Sequence, residues 1–273
     1  MKEKHIPPTQ TSVPVSAIDV PTETIKLPSK GIVYPADSPL HTEEIEIRHL
    51  TARSEDVLTS RNLVKKGTLI DRLIQSALVD PEIKVEDMLM GDKNTIMVAH
   101  RITGYGAQYK TEVECSDCER KTEHIFDLSK MAVLGLGAEP VAEGMNKFEF
   151  TLPMSGKKVF FKLLTGRDDK QITEIVEASK KISDVEKNVT AKLFVHLLEV
   201  DGDADRQVIR KFSDTMKAGD SLALREYINE IEPGIEMIED FECPDCGFKE
   251  EVDCPIGLEF FWPGWRRKRR RTR

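Results

Sequence analysis

Two stretches, Cys115-Ser116-Asp117-Cys118 and Cys243-Pro244-Asp245-Cys246, constrain this chain more than anything else in it. A two-residue gap lets both thiolates of a tight turn face one ion, and two such turns complete a tetrahedral shell of four cysteines. The pairs stand 128 residues apart, whereas a single-module zinc ribbon keeps its pairs close. A shared ion therefore has to join distant parts of the chain. The expected ligands are Cys115, Cys118, Cys243 and Cys246 around a structural Zn2+. Four thiolates close the shell, so no position is left for a catalytic water. The competing use of Cys-x-x-Cys is redox catalysis, which calls for one reactive pair beside a βαβ pattern. Two matched pairs between charged, alternating segments favour the metal. Cys254, eight residues past Cys246, has no counterpart near the first pair and reads as a buried thiol.

The echo extends beyond the cysteines. With a shift of 128 and no gap from Gly91, nine of 33 positions are identical. They fall on residues with structural tasks: Gly91-Asp92 on Gly219-Asp220, Gly106 on Gly234, and the knuckle from Glu114 to Glu123 on Glu242 to Glu251. Upstream, with gaps, Leu27-Pro28-x-x-Gly31 matches Leu152-Pro153-x-x-Gly156, and Leu50-Thr51-Ala52-Arg53 matches Leu164-Thr165-Gly166-Arg167. The motif order predicts an internal duplication. The expected fold is α+β: two tandem pseudo-repeats, each a strand or hairpin, helices and a zinc-knuckle hairpin, joined by a shared four-cysteine zinc ribbon. The organisation reads as an extended arm over 1–23, a first repeat over 24–127, a linker over 128–147, a second repeat over 148–254 and a tail over 255–273.

Local patterns fill in the repeats. Glu44-Ile45-Glu46-Ile47-Arg48 alternates as a half-buried strand does. Thr51 precedes a loosely helical stretch that Gly67 breaks. Leu69, Ile70, Leu73, Ile74, Ala77 and Leu78 form a helical stripe that ends before Pro81. Asp92 is placed to cap a helix reaching Gly104, and strands over 107–114 and 121–127 flank the first knuckle. Residues Ser129 to Leu136 read as a short helix. Phe148 to Leu152 and Val159 to Leu163 carry a hairpin signature. Asp168-Asp169 opens a helix, a second helical segment runs to Leu198, and Val208 to Met216 reads as a third. Asp220 is placed to cap the last helix, over 221–231, before strands at 235–242 and 248–253.

Other motifs weigh less. Asp201-Gly202-Asp203-Ala204-Asp205 resembles the start of a calcium loop, but Arg206 and Phe212 stand where that loop needs Gly and Glu. Gly104-Tyr105-Gly106 lacks the strand–loop–helix order of a phosphate cradle. His100 and His196 sit on helical stripes as packing residues. No catalytic constellation emerges. No run is long and apolar enough to span a bilayer, and the N-terminus lacks a signal-peptide pattern. Thiols paired for metal fit a reducing compartment.

The net charge of −8 conceals an asymmetry. Seven cations lie between Arg266 and Arg273, so the rest of the chain stands at −15. Phe260, Phe261, Trp262 and Trp265 precede and join this cluster. Aromatics for area beside arginines for acidic rims are how a terminal peptide anchors in a partner's groove. The expected partner-binding residues are therefore these four aromatics with Arg266, Arg267, Lys268, Arg269, Arg270 and Arg271. Nucleic acid is the rival partner, since arginine clusters also neutralise phosphates.

A longer run of residues carries a family resemblance. It comprises Leu27-Pro28-Ser29-Lys30-Gly31-x-x-Tyr34-Pro35, Ile47-Arg48-x-x-Thr51-Ala52-x-x-Glu55-Asp56-x-Leu58-Thr59-Ser60, Lys65-Lys66-Gly67-Thr68-x-Ile70-Asp71, Gly91-Asp92-Lys93-Asn94, Arg101-Ile102-Thr103-Gly104-Tyr105-Gly106 and the Cys pairs. It resembles the T4-type bacteriophage baseplate family of hub and hub-assembly proteins, most closely over 25–125. The resemblance implies a non-enzymatic protein of contractile-tail assembly, working in the host cytoplasm or remaining in the virion baseplate. Its implied partners are other baseplate, hub or tail-tube proteins, in multiple copies per particle, and no membrane. It supplies no catalytic residues. The basic tail has no place in the family pattern. A zinc-ribbon nucleic-acid-binding protein using that tail is the alternative expectation.

Overall fold

The alternation in Glu44-Ile45-Glu46-Ile47-Arg48 becomes an alternation in burial: Ile45 and Ile47 enter the core while Glu44 and Glu46 face solvent. This strand, β2 (Glu44–Arg48), pairs antiparallel with β1 (Thr22–Lys26) in a computed structural model that describes residues 20–60, 63, 67–180 and 186–261. β1 crosses the boundary at residue 23 where the sequence pattern ends the extended arm. Its side chains are almost all exposed, so it carries no apolar period, and its ladder to β2 is what orders it. The rest of the arm, over 1–19, lies outside the described residues.

Among the described residues α1 (Ala52–Leu58), α2 (Leu69–Ala77) and α3 (Met90–Tyr105) follow, with a 3-10 turn at Val85–Asp87 before the last. α2 buries Leu69, Leu73, Ile74 and Ala77, the stripe visible in its sequence. The hairpin of β3 (Gln108–Glu114) and β4 (Lys121–Asp127) holds the first cysteine pair in its turn.

Beyond it come β5 (Val133–Leu134), β6 (Phe148–Thr151), β7 (Lys158–Phe161), α4 (Gly166–Lys180), α5 (Asn188–His196), β8 (Leu197–Val200), α6 (Arg206–Thr215), α7 (Ala218–Ile231), β9 (Gly234–Ile235), β10 (Ile238–Glu242), β11 (Lys249–Asp253) and α8 (Leu258–Phe261). β6, β7 and β8 form one antiparallel sheet, β5 pairs with β9, and the β10–β11 hairpin holds the second cysteine pair. The described residues thus form a mixed α/β fold of eight helices and small antiparallel sheets. No described helix is long and apolar enough to cross a membrane.

Several local expectations change. The segment from Ser129 to Leu136 is not helical. It turns and then contributes β5 to β9. Gly137 lies so close to α7 that an added Cβ would meet the Glu230 carbonyl oxygen at 2.8 Å, which ties this linker to the following half. Leu197 and Leu198 leave the helix and begin β8, because Leu197 completes a ladder with Phe161.

The aspartates also act differently. α3 starts at Met90, two residues before Asp92, and no side chain caps it. Asp92 instead reaches across the fold. Its Oδ1 accepts from the Ser29 N–H at 3.0 Å, and its Oδ2 accepts from the Ser29 hydroxyl at 2.6 Å and the Tyr34 hydroxyl at 2.5 Å. Asp220, at the same place in α7, accepts from the Met154 N–H at 2.7 Å. Each carboxylate fastens a Leu-Pro-x-x-Gly turn to a helix start. Those turns end on Gly31 and Gly156, at φ of 75° and 69°, where a side chain would be strained.

The core runs through both halves of the chain, from Leu27, Ile47 and Met88 to Phe148, Leu197 and Leu224. Gly91 in α3 packs directly on the chain before β9: a Cβ there would sit 1.5 Å from the Pro233 carbonyl oxygen.

Candidate metal centre

Each cysteine pair is set by the same local hydrogen bonds. The Cys115 N–H donates to the Arg120 carbonyl at 3.0 Å, and the Glu119 N–H donates back to the Cys115 carbonyl at 2.9 Å. In the other hairpin the Cys243 N–H donates to the Phe248 carbonyl at 2.8 Å, and the Gly247 N–H donates to the Cys243 carbonyl at 2.8 Å. The turn needs a left-handed residue after its second cysteine. Gly247 supplies it at φ 75°, and Glu119 adopts it at φ 55°.

The hairpins bring these turns together. The sulfurs of Cys115, Cys118, Cys243 and Cys246 all lie within 4.8 Å of one another. Cys115 Sγ is 3.7 Å from Cys246 Sγ, and Cys118 Sγ is 3.7 Å from Cys243 Sγ. Four thiolates at a zinc–sulfur bond of about 2.3 Å would stand about 3.8 Å apart along a tetrahedron's edges. The donor set and its spacing therefore fit a metal ion. Cys115 and Cys243 are buried, Cys118 is half-buried and Cys246 is exposed, so the site lies at the surface with two ligands on its inner side.

The thiols are held unequally. The Cys246 N–H, followed by the Asp245 N–H and neighbouring sulfurs, draws Cys243 down to about 7. The Phe248 N–H pulls Cys246 the same way, but lost solvation and the sulfurs of Cys243, Cys118 and Cys115 outweigh it and push Cys246 up to about 12. Cys118 is also raised, against a lowering contribution from the Arg120 N–H. Thiols this close cannot all ionise without a cation among them, and a dication removes that conflict.

Around the sulfurs are contacts that the cysteine spacing does not announce. The Ser116 N–H donates to Glu250 Oε1 at 3.0 Å, and Arg120 lies 3.2 Å from Asp245. Further along, His124 Nε2 faces Glu239 Oε2 at 3.4 Å without hydrogen-bonding alignment, both atoms being shielded from solvent. These links join β4 and its turn to the second hairpin. Nothing in the period or spacing of these residues marks them, since each is an ordinary charged or polar residue of a turn or an alternating strand. Cys254 is buried apart from the four sulfurs, and burial pushes its thiol up to about 12.

The tail divides. Phe260 and Phe261, expected at a partner's surface, are completely buried in the chain's own core. Phe260 meets the Tyr109 ring edge-on with centroids 5.1 Å apart, and the Tyr109 hydroxyl donates to the Pro255 carbonyl at 3.0 Å. These rings close over the base of the first knuckle hairpin, where their apolar area is better satisfied than in water. Trp262, Trp265, Arg266, Arg267, Lys268, Arg269, Arg270 and Arg271 lie outside the described residues. No protein-family model matches the chain, and no curated protein or solved structure matches it either.

Proposed function

We propose that the four cysteines hold a structural zinc ion that staples two related halves of the chain, and that the protein is a non-enzymatic component or assembly factor of a contractile phage-tail baseplate. The observation that carries the staple is the 3.7 Å sulfur spacing between cysteines that stand 131 and 125 residues apart in the sequence. A closed four-thiolate shell stabilises and does not hydrolyse. What zinc supplies when bound is charge neutralisation for those thiolates and a cross-link between two small hairpins.

Duplication is supported by matching hydrogen bonds rather than identity alone. The Ser29–Asp92 and Met154–Asp220 bonds correspond, as do the backbone bonds of the two knuckles. Ile47 bridges Leu78 just after α2, and Phe161 pairs with Leu197 just after α5. Each half then reads as a hairpin, two helices, a return bridge, an insertion that is a 3-10 turn in the first half and α6 in the second, a helix carrying the aspartate, and a knuckle.

The baseplate reading rests on the residue run from Leu27 to Gly106 and the cysteine pairs. Its partners are hub, baseplate or tail-tube proteins, met in the host cytoplasm and, for a component, retained in the virion. Trp262, Trp265 and the cations from Arg266 to Arg271 are the proposed contacts; Phe260 and Phe261 are buried in the chain's own core instead.

Co-purification with hub subunits, together with mass spectrometry of purified tails, tests this. Capture of hub subunits supports the reading, and presence in finished tails separates component from assembly factor. Steeply salt-dependent DNA binding with no hub contact would replace it with the nucleic-acid-binding alternative.

A further inference from the structure

Three arginines and two histidines of the first half have no task in the metal centre. The fold gathers them. Arg48 and His49 at the end of β2, Arg53 in α1, Arg72 in α2 and His100 in α3 line one cleft of about 580 Å3. That volume lies in the range of small-molecule sites. Five of its lining side chains are basic and none is acidic, in a chain whose net charge is −8.

Most carboxylates on the elements packed around it have partners of their own, and only that of Glu23 faces a lining residue, His49. Glu55 accepts the Tyr105 hydroxyl at 2.7 Å, and Asp71 lies 2.5 Å from the Lys93 ammonium and 3.3 Å from that of Lys170. Glu46 accepts the Thr22 hydroxyl at 2.5 Å. Glu23 faces His49 at 3.9 Å. The Arg48 guanidinium donates to the Leu78 and Val79 carbonyls, which fix its direction without neutralising it. Arg53 and Arg72 have no carboxylate partner among the described residues.

The neutral donors of the cleft are occupied. Gln75 donates to the Ile83 carbonyl at 2.8 Å and accepts from the Val85 N–H at 3.2 Å, while the Ser76 hydroxyl donates to the Leu73 carbonyl at 2.7 Å. His100 is the exception. It is completely buried, it lines the cleft, and neither ring nitrogen has a hydrogen bond among the described residues. The ring lies near the Arg48 carbonyl without meeting the geometry of a hydrogen bond to it. A buried polar group left without a partner in a basic cleft points to an acceptor that enters from outside.

We propose that this cleft binds a small oxyanion, a molecule carrying a phosphate or carboxylate group. Arg53 and Arg72 grip the charge from the rim with planar donor forks suited to either group, and His100 supplies an N–H at the floor. The site is independent of the cysteines and of the baseplate reading.

Isothermal titration of the full-length chain with inorganic phosphate, with AMP and with citrate, at one ionic strength, tests it. The expected result is saturable binding of at least one probe. Preference for phosphate and AMP or for citrate then names the group recognised. Arg53 and Arg72 are exposed, so Arg53→Ala and Arg72→Ala leave the core intact, and each weakens binding about tenfold. Lys249→Ala, an equal loss of charge on the far β11 strand, leaves affinity within about twofold. Absence of saturable binding by all three probes overturns the proposal. So does unchanged affinity in the Arg53→Ala/Arg72→Ala double variant, or an equal loss in Lys249→Ala.

Discussion

Asp92 and Asp220 hold the same position in two helices, yet their environments drive their protonation in opposite directions. Burial raises the Asp92 carboxyl above its ordinary range, against the lowering hydrogen bonds from Ser29 and Tyr34. Burial pushes Asp220 up too, but hydrogen bonds from the Ser155 side chain and the Met154 and Ser155 backbones outweigh it, and the group ends below its ordinary range. The signs follow. A depressed carboxyl contributes stability that is present above the unfolded value, about 3.9, and lost as pH falls through the folded one. A raised carboxyl favours the folded chain on the acid side instead. Asp220→Asn therefore lowers stability at pH 7, and the gap from wild type closes as pH falls below about 4. Urea unfolding across that range checks it; a gap that stays constant with pH would show that Asp220 does not titrate as described. Asp92→Ala leaves three buried donors, on Ser29 and Tyr34, without an acceptor. Its expected cost is about 2–4 kcal/mol at neutral pH, and Asp92→Asn, which keeps the shape of a neutral group, costs less.

The elements show what a pattern can and cannot announce. β2 and α2 were legible because one face of each is buried, which forces a period on the residues. The knuckle hairpins were legible because Cys-x-x-Cys restricts the turn between them. β1, β5 and β8 were not: each is short, and a ladder partner decides its conformation. Asp92 and Asp220 looked like caps because a helix cap and a cross-fold acceptor draw on the same residue type. The aromatic tail misled for a related reason: composition shows that Phe260 and Phe261 need a surface to cover, without saying whose. Since α8 covers the chain's own core, a truncation that takes Phe260 and Phe261 removes buried rings and should lower the melting temperature. Phe260→Ala opens a cavity beside Tyr109 and costs about 3–5 kcal/mol. Equal melting of the Phe260→Ala variant and the wild type would contradict the packing. The α3–β9 contact makes a second demand. Gly91→Ala drives a methyl into the Pro233 carbonyl, and the backbone shift this forces costs about 3 kcal/mol, measurable in the same melts.

At the scale of the whole molecule, the contacts between the two knuckle hairpins rank by strength. Arg120 and Asp245 are solvent-exposed, and such pairs contribute little, about 0–1 kcal/mol. Each hairpin has two strands, too few to be stable alone in water. Besides the Ser116–Glu250 hydrogen bond and the edge-on contact of His124 with Phe241, the sulfurs hold the hairpins together, and at this spacing they cannot all carry charge without a cation among them. Stripping the metal with a strong chelator should therefore lower the melting temperature and speed amide exchange in β3, β4, β10 and β11 first. The β6–β7–β8 sheet, buried through Phe148, Val159, Phe161 and Leu197, should hold its protection. Cys118→Ser removes one ligand and should reproduce the chelated state. The two treatments must also fail to add: chelator applied to Cys118→Ser has no metal left to withdraw, so it should shift neither melting nor exchange further. Elemental analysis fixes the premise, with one zinc per wild-type chain and none in the variant. A wild-type chain that carries no metal, or a Cys118→Ser variant that keeps its ion and its melting curve, would mean the four sulfurs meet without serving as a staple.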